Sequence, residues 1–217
     1  MKKNNDFFVS QSRKDAYDLI DKYIKEKVYL LFFIGESGVG KSKFLKHLTE
    51  HIQSIDVVIM DQFYENPTIF FKALIENLNL NTESYSKQDM INMIAQYSVD
   101  KIAENKKLIL IIDDISGISE EIIKDISKLY EFEYNNAKIL NIILTGDNKN
   151  FQIIKEWQEK YFRFVSSSVV YLNPFNKTET ITFLKNACEK YNIDISDFSK
   201  DNYTEVYLYT EGIPDRI

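Results

Sequence analysis

The chain is 217 residues long, 44% hydrophobic and 28% charged, enough to bury the core of one sizeable domain with a small appendage. A formal net charge of −6 argues against a protein whose main work is neutralising nucleic-acid phosphates. The single Cys188, expected half-buried on a helix, excludes an intrachain disulfide and fits a reducing compartment.

Taken in chain order, Met1 to Asp6 leads into no signal-type segment, and no apolar run approaches the roughly 20 residues of a membrane-crossing helix. A cytoplasmic location is therefore expected. A helix is expected to begin near Ser10-Gln11-Ser12-Arg13-Lys14. The apolar run Val28 to Ile34 predicts a first strand, and the octet Gly35-Glu36-Ser37-Gly38-Val39-Gly40-Lys41-Ser42 follows it directly. That octet matches every fixed position of the phosphate-binding P-loop. Glycines let the backbone curl until its N–H groups point at the phosphates, and the helix that follows presents its positive end. Phe44, Leu45, Leu48 and Ile52 carry the apolar spacing of that helix.

Val57 to Met60 reads as a second strand, Pro67 to Leu78 and Met90 to Ile102 as helices, and Asn79 to Ser86 as the polar loop between them. Lys106 and Lys107 read as a solvated turn before a third strand, Leu108 to Ile112, which ends in Asp113-Asp114. A short apolar strand ending in acids is a Walker B pattern, with Asp113 placed toward Mg²⁺ and Asp114 toward the attacking water. A helix follows over Ile122 to Phe132, a fourth strand over Ile139 to Leu144, a helix over Asn150 to Tyr161 and a fifth strand over Val169 to Leu172. Trp157, Tyr161 and Phe162 read as packing residues. Strands alternating with helices predict a parallel sheet covered on both faces, with the ligand at the strands' C-terminal ends. Asn173-Pro174-Phe175 breaks the pattern. Helical spacing over Lys177 to Asn192 and Asp201 to Glu211 then predicts a small lid, so the division is 1–175 and 176–217.

The chain has only three arginines, Arg13, Arg163 and Arg216. Arg163, between the last helix of the larger unit and the fifth strand, stands where ring-forming ATPases place an arginine that projects to a neighbouring subunit's γ-phosphate, a role suited to a planar, permanent cation. Arg216, in Gly212-Ile213-Pro214-Asp215-Arg216, is placed to sense the γ-phosphate within its own subunit. For Arg13 and Arg163, a solvated surface position fits the sequence equally well. His47 and His51, four apart on the P-loop helix, have no third metal ligand nearby in sequence and read as helix-border residues.

Gly35 to Ser42, Leu108 to Asp114, Ile142 to Asp147, Leu172 to Phe175 with Glu179-Thr180, and Gly212 to Arg216 together resemble the AAA+ ATPases, in particular the secretion-associated branch typified by ExeA, general secretion pathway protein A. The resemblance implies an α/β P-loop NTPase with a five-stranded parallel sheet and a helical lid that continues past Ile217. It implies ATP or ADP and Mg²⁺ as ligands, with Lys41 on phosphate, Ser42 and Asp113 on metal, and Lys43 beside the loop. Asp114 is implied as base, Arg216 as one sensor, and Thr145 or Asp147 as the other. Phe8, Val9, Ile213 and Pro214 are implied around the adenine. Three departures stand out: Asp114 for the usual Glu, Ser116 where Gln is frequent, and Asp215 where Arg is frequent. The implied activity is ATP hydrolysis by a homo-oligomer, which assists assembly of a secretion, pilus-like or DNA-uptake machine through a membrane-anchored partner. The alternatives are a regulatory switch of the STAND type, whose Gly-Xaa-Pro motif Gly212-Ile213-Pro214 also fits, or a loader ATPase linked to DNA.

Overall fold

The computed structural model describes residues 7–26, 28–51, 55–81, 86–196 and 198–217. Ile52, Met1 to Asp6 and residues 82–85 of the expected polar loop lie outside the described residues. The elements in order are α1 (Gln11–Lys25), β1 (Leu30–Ile34), α2 (Lys41–His51), β2 (Ile55–Met60), α3 (Pro67–Asn77), α4 (Lys87–Ala103), β3 (Lys107–Ile112) and α5 (Glu120–Leu129). They continue with β4 (Glu133–Tyr134), β5 (Ala137–Lys138), β6 (Leu140–Gly146), α6 (Phe151–Tyr161), β7 (Ser167–Tyr171), α7 (Lys177–Lys190) and α8 (Lys200–Thr210). Short 3₁₀ turns occupy Ile115–Gly117, Asn148–Asn150 and Pro214–Arg216.

Local chemistry fixes the helix starts. Asn66 accepts from Thr68 N and Ile69 N ahead of Pro67, whose missing N–H costs nothing in a first turn. Ser86 with Asp89, Asn176 with Glu179 and Ser199 with Asn202 close reciprocal capping boxes on α4, α7 and α8.

Five strands form one parallel sheet in the order β2-β3-β6-β1-β7. Both faces are covered, so the strands read as unbroken apolar runs rather than alternating ones. Leu30, Phe32, Leu108, Leu110 and Ile112 face α3, α4, α5 and α6, while Leu31, Phe33, Ile109 and Ile111 face α1 and α2. No helix among the described residues is long and apolar enough to cross a membrane.

Three local expectations are corrected. The helix expected to reach Phe132 stops at Leu129, and β4 and β5 form a hairpin through Asn135-Asn136, with φ of 51° and 58°. Positive φ at both turn positions suits a two-residue hairpin and is tolerated by Asn. Lys107 is no solvated turn residue: it opens β3, and its Nζ donates to Ile24 O at 2.6 Å. Cys188 is buried rather than half-buried. Trp157 and Phe162 are core residues, as packing required.

Within α7 and α8 the fully buried residues are Thr180, Cys188 and Thr210. Packing therefore holds these helices less firmly than a backbone junction does. Phe175 N donates to Gly212 O at 2.8 Å, and a Cβ built on Gly212, whose φ is 73°, would stand 1.9 Å from Phe175 O. No side chain fits there. Gly212→Ala is expected to lower unfolding free energy by about 2–4 kcal/mol and to loosen α8 first, which urea titration and amide exchange will measure.

Candidate nucleotide-binding site

The P-loop joins β1 to α2. Lys41 opens α2, and its Nζ donates to Gly35 O at 2.8 Å and Glu36 O at 3.1 Å, so the ammonium lies across the mouth of the loop. Burial lowers its pKa, opposed by the negative charges of Asp147, Asp114 and Asp113. The first-turn amides of α2 have no partner within the helix and point with its dipole toward the same space. Gly38, at φ 80°, leaves the chain room to receive the C-terminal turn: a Cβ there would sit 3.1 Å from atoms of both Ile213 and Asp215. Asp215 N donates to Gly38 O at 3.3 Å.

A cavity of about 460 Å³ opens over this loop. Its walls include Ser37, Gly38, Gly40, Lys41, Ser42 and Lys43 from the loop, Asp113 and Asp114 from the end of β3, and Asp147 just after β6. Gly35, Glu36 and Val39 shape the loop from outside that lining: Val39 N donates to Glu36 O, and Val39 is buried.

Behind the cavity the two strand ends are wired together. Thr145 Oγ1 donates to Asp113 Oδ1 at 2.9 Å and accepts from Asp114 N at 2.7 Å. Thr145 is buried and outside the lining, whereas Asp147 lines it and accepts from Lys149 N and Asn150 N. Asp114 has φ 74°, in the left-handed region, and its Oδ1 accepts from Ser116 N at 3.0 Å and Ser116 Oγ at 2.6 Å. Such a conformation in a non-glycine residue costs about 1–3 kcal/mol and must be held by its surroundings.

A second cavity of about 590 Å³ adjoins through Lys43, lined by Phe7, Phe8 and Val9 on one side and by Phe183, Asn186 and Ala187 of α7 on the other. Phe8 stands edge-on to Phe175 and Phe183 at 5.3 and 5.6 Å. Aromatic and apolar groups share this cavity with Lys43, Asn186 and Lys190, a mixed lining that suits a heteroaromatic ring. Ile213 is buried beneath Gly38 and Pro214 opens the last turn, and neither lines either cavity.

Residues 25–154, more than half of the chain, match the family described as AAA domain. The chain belongs to the AAA family. Its solved structural neighbours include Cdc6p from Pyrobaculum aerophilum, at 16% identity and TM-score 0.67 over 100% of this chain and 62% of that one. Aeropyrum pernix ORC2 in ADPNP–ADP complexes has 12% identity and TM-score 0.63 over 82% and 50%. AMPPCP-bound DnaA from Aquifex aeolicus has 16% identity and TM-score 0.60 over 97% and 61%. At these identities the likeness is one of fold, and this chain spans about half to three-fifths of each neighbour. No curated protein matches the chain.

Three further residues of this AAA cavity, Asp61, Lys149 and Asn150, carry no sequence motif and emerge only from the fold. The structure also places the three arginines. Arg13 is no surface residue: it is 3% exposed, donates to Val39 O at 2.7 Å and Asn173 O at 2.5 Å, and stacks 4.3 Å over Phe175. Burial lowers its pKa to about 10, opposed by the charge of Glu179, so it stays a cation at neutral pH. Arg216 lies outside the cavity lining and pairs with Glu211 at 2.6 Å, while Asp215 takes the lining position. Arg163 is exposed, stacked over Phe164, and makes no ion pair among the described residues. His51 Nδ1 pairs with His47 O, and no group of three metal-ligating His, Cys, Asp or Glu occurs among the described residues. Ser42 hydroxyl and Asp113 carboxylate are hard oxygen donors of the kind Mg²⁺ takes alongside phosphates and waters.

Removing the Arg13 guanidinium strands two acceptors in the interior. Arg13→Ala is expected to cost roughly 2–5 kcal/mol of stability, and Arg13→Lys to recover little of it, because an ammonium lacks the planar fork. Chemical denaturation of both variants checks this.

Proposed function

We propose that the chain binds ATP with Mg²⁺ and hydrolyses it, and that nucleotide state shifts the 176–217 lid against the 1–175 body. The observation that carries this reading is the cavity over Gly38 to Lys43, where loop amides and Lys41 face Asp113 across the ends of parallel strands, with the C-terminal turn seated on the loop. Lys41 pairs with the β- and γ-phosphates, and the adenine occupies the slot between Phe8, Val9 and α7. Ser42 and Asp113 hold Mg²⁺, which when bound neutralises phosphate charge. Asp113 and Asp114 stay aligned through Thr145. Arg163, exposed and without an ion pair among the described residues, reaches a neighbouring copy's γ-phosphate in a homo-oligomer, and Arg216 leaves Glu211 when the lid closes.

Through this cycle the protein assists assembly or energising of a bacterial envelope machine for secretion, pilus-like function or DNA uptake, working in the cytoplasm or at the inner membrane through an anchored partner. That finer assignment is supported by the ordered motif set running from Gly35 to Arg216. A second reading, a DNA-linked loader or STAND-like switch, is favoured by the solved neighbours. Two further solved neighbours are a DNA replication initiation factor, at 15% identity and TM-score 0.60, and Drosophila ORC bound to AT-rich DNA and Cdc6, at 11% identity and TM-score 0.53. Phosphate release that rises with protein concentration favours the assembly factor; slow turnover with retained ADP favours the switch.

Lys41→Ala is expected to weaken ATP binding by at least about a hundredfold while leaving the thermal transition in place, since Lys41 contributes charge rather than core packing. Calorimetric titration decides it, and unchanged affinity in the folded variant overturns the phosphate site. For the trans arginine, Arg163→Ala mixed with Lys41→Ala is expected to recover phosphate release that neither variant has alone, because one interface then joins an intact loop to an intact arginine. Mixtures shown to co-assemble yet remaining inactive overturn it.

A further inference from the structure

The turn Pro214–Arg216 carries two charged side chains, and they go to different places. Arg216 is drawn outward: its guanidinium pairs with Glu211 Oε2 at 2.6 Å and does not line the phosphate cavity. Asp215 does line it. A Cβ built on Gly38 would stand 3.1 Å from Asp215 Cβ and 3.4 Å from its Oδ2, so the carboxylate lies against the backbone of the glycine loop. It accepts no hydrogen bond and joins no ion pair among the described residues. The charge that the turn brings to the cavity is therefore an uncompensated anion.

Neighbouring residues hold that seat. Ile213 is buried beneath Gly38, Gly212 O accepts from Phe175 N at 2.8 Å, and Asp215 N donates to Gly38 O at 3.3 Å. Pro214 restricts the backbone between them. Where the seat falls along a bound nucleotide follows from Lys43, which lies in the first turn of α2 and lines both the phosphate cavity and the slot for the base. A nucleotide enters the loop from that end, so each further phosphate lies farther from Lys43 and nearer the wall made by Ser37, Gly38 and Asp215. Lys41 gives Asp215 little relief, since the acids that act on its ammonium are Asp147, Asp114 and Asp113.

We propose that Asp215 is a specificity-determining residue that sets the cavity against a third phosphate, so that the chain holds ADP in preference to ATP wherever no cation offsets the carboxylate. The inference rests on reading the cavity as a nucleotide site. A like charge placed against one ligand discriminates as effectively as added contacts to the other. At about 5 Å and an effective dielectric near 20, two like charges repel enough to shift an affinity at least about tenfold. A diphosphate stops short of Asp215 and escapes most of that repulsion. A divalent cation on the terminal phosphates narrows the difference, because the carboxylate then faces a complex of lower negative charge. The repulsion also acts back on the turn: a bound triphosphate loosens the seat of Asp215 on Gly38, whereas a diphosphate leaves it in place.

The test is calorimetric titration of ADP and of ATP, each with and without Mg²⁺, into the full chain and into Asp215→Asn, Asp215→Glu and Lys41→Ala, with the melting temperature of each. Asp215→Asn is nearly isosteric and leaves the backbone amide free to donate to Gly38 O. Without Mg²⁺ the parent is expected to bind ADP at least about tenfold more tightly than ATP. Asp215→Asn is expected to tighten ATP by about tenfold and ADP by less than about threefold, and Asp215→Glu to keep the parent's preference. Raising the salt concentration narrows the parent's difference and leaves that of Asp215→Asn in place, a response that a merely structural role would not produce. Equal changes for ADP and ATP in Asp215→Asn overturn the proposal, and so does a parent with no preference for ADP. A loss of Mg-ATP affinity in Asp215→Asn also overturns it, since Asp215 is then a cation holder. A parent that binds neither nucleotide more tightly than Lys41→Ala does overturns the nucleotide reading itself, whereas a parent that binds both, with Asp215→Asn unchanged, overturns only the role of Asp215.

Discussion

Everything at the site follows from β6 lying between β1 and β3. Parallel neighbours stand about 4.8 Å apart, so this interposed strand separates the loop after β1 from the acids after β3 by about 10 Å at the sheet's edge. The interposed strand also supplies Thr145, whose one hydroxyl donates to Asp113 and accepts from the amide of Asp114, so a single side chain aligns two acids on the next strand. The right-handed crossovers of a parallel sheet then force the covering helices onto both faces and leave the C-terminal edge open.

A second dependence is the buried Arg13. Its guanidinium joins the P-loop at Val39 O to the hinge at Asn173 O and rests on Phe175, while the neighbouring Ser12 binds Glu179 through N and Oγ at 3.2 Å. Glu179 in turn is the capping-box acid of α7. Burial pushes the Glu179 pKa up, but the hydrogen bonds from Asn176, Ser12 and Ser10 outweigh it and hold the carboxyl below its usual range. The stability it contributes is therefore present above the ordinary carboxylate range and is lost as pH falls through the lowered folded-state value. Loop, first helix and lid thus share one polar junction. A displacement of the loop by bound phosphate has a direct route to α7.

Legibility in the sequence tracked the range of the interaction. The five strands, the P-loop and the acid pair are local patterns, readable because each is an apolar run ending in residues with one chemical use. Asp61 was invisible because it acquires meaning only when β2 lands beside β3, a pairing between segments some fifty residues apart in sequence. Arg13 was ambiguous for the same reason: its partners Val39 and Asn173 come from distant segments, and nothing in Ser-Arg-Lys distinguishes a buried cation from a solvated one. The Asn135-Asn136 hairpin was missed because helical spacing carried the eye past Leu129, while the turn's positive φ values are set by only two residues. Gly212 and Phe175 were both singled out as motif residues, yet their backbone contact is a tertiary fact.

The charge in the cavity decides what it can accept. Asp61, Asp113, Asp114, Asp147 and Asp215 face Lys41, Lys43 and Lys149, an excess of two negative charges before any ligand enters. Lys41 is meanwhile disfavoured as a cation by burial, with the nearby aspartates pulling the other way. A bare polyphosphate meets net repulsion in such a space, and loop amides with a helix dipole, contributing about 0.3–1 kcal/mol per interaction, do not outweigh several unit charges at close range. A divalent cation arriving with the phosphates changes the sign of the problem, since the same aspartates then attract the complex. On the proposed reading, five acids around one loop favour a metal-complexed phosphate chain over the free one, and release of inorganic phosphate after cleavage relieves the repulsion between two anions held in one cavity.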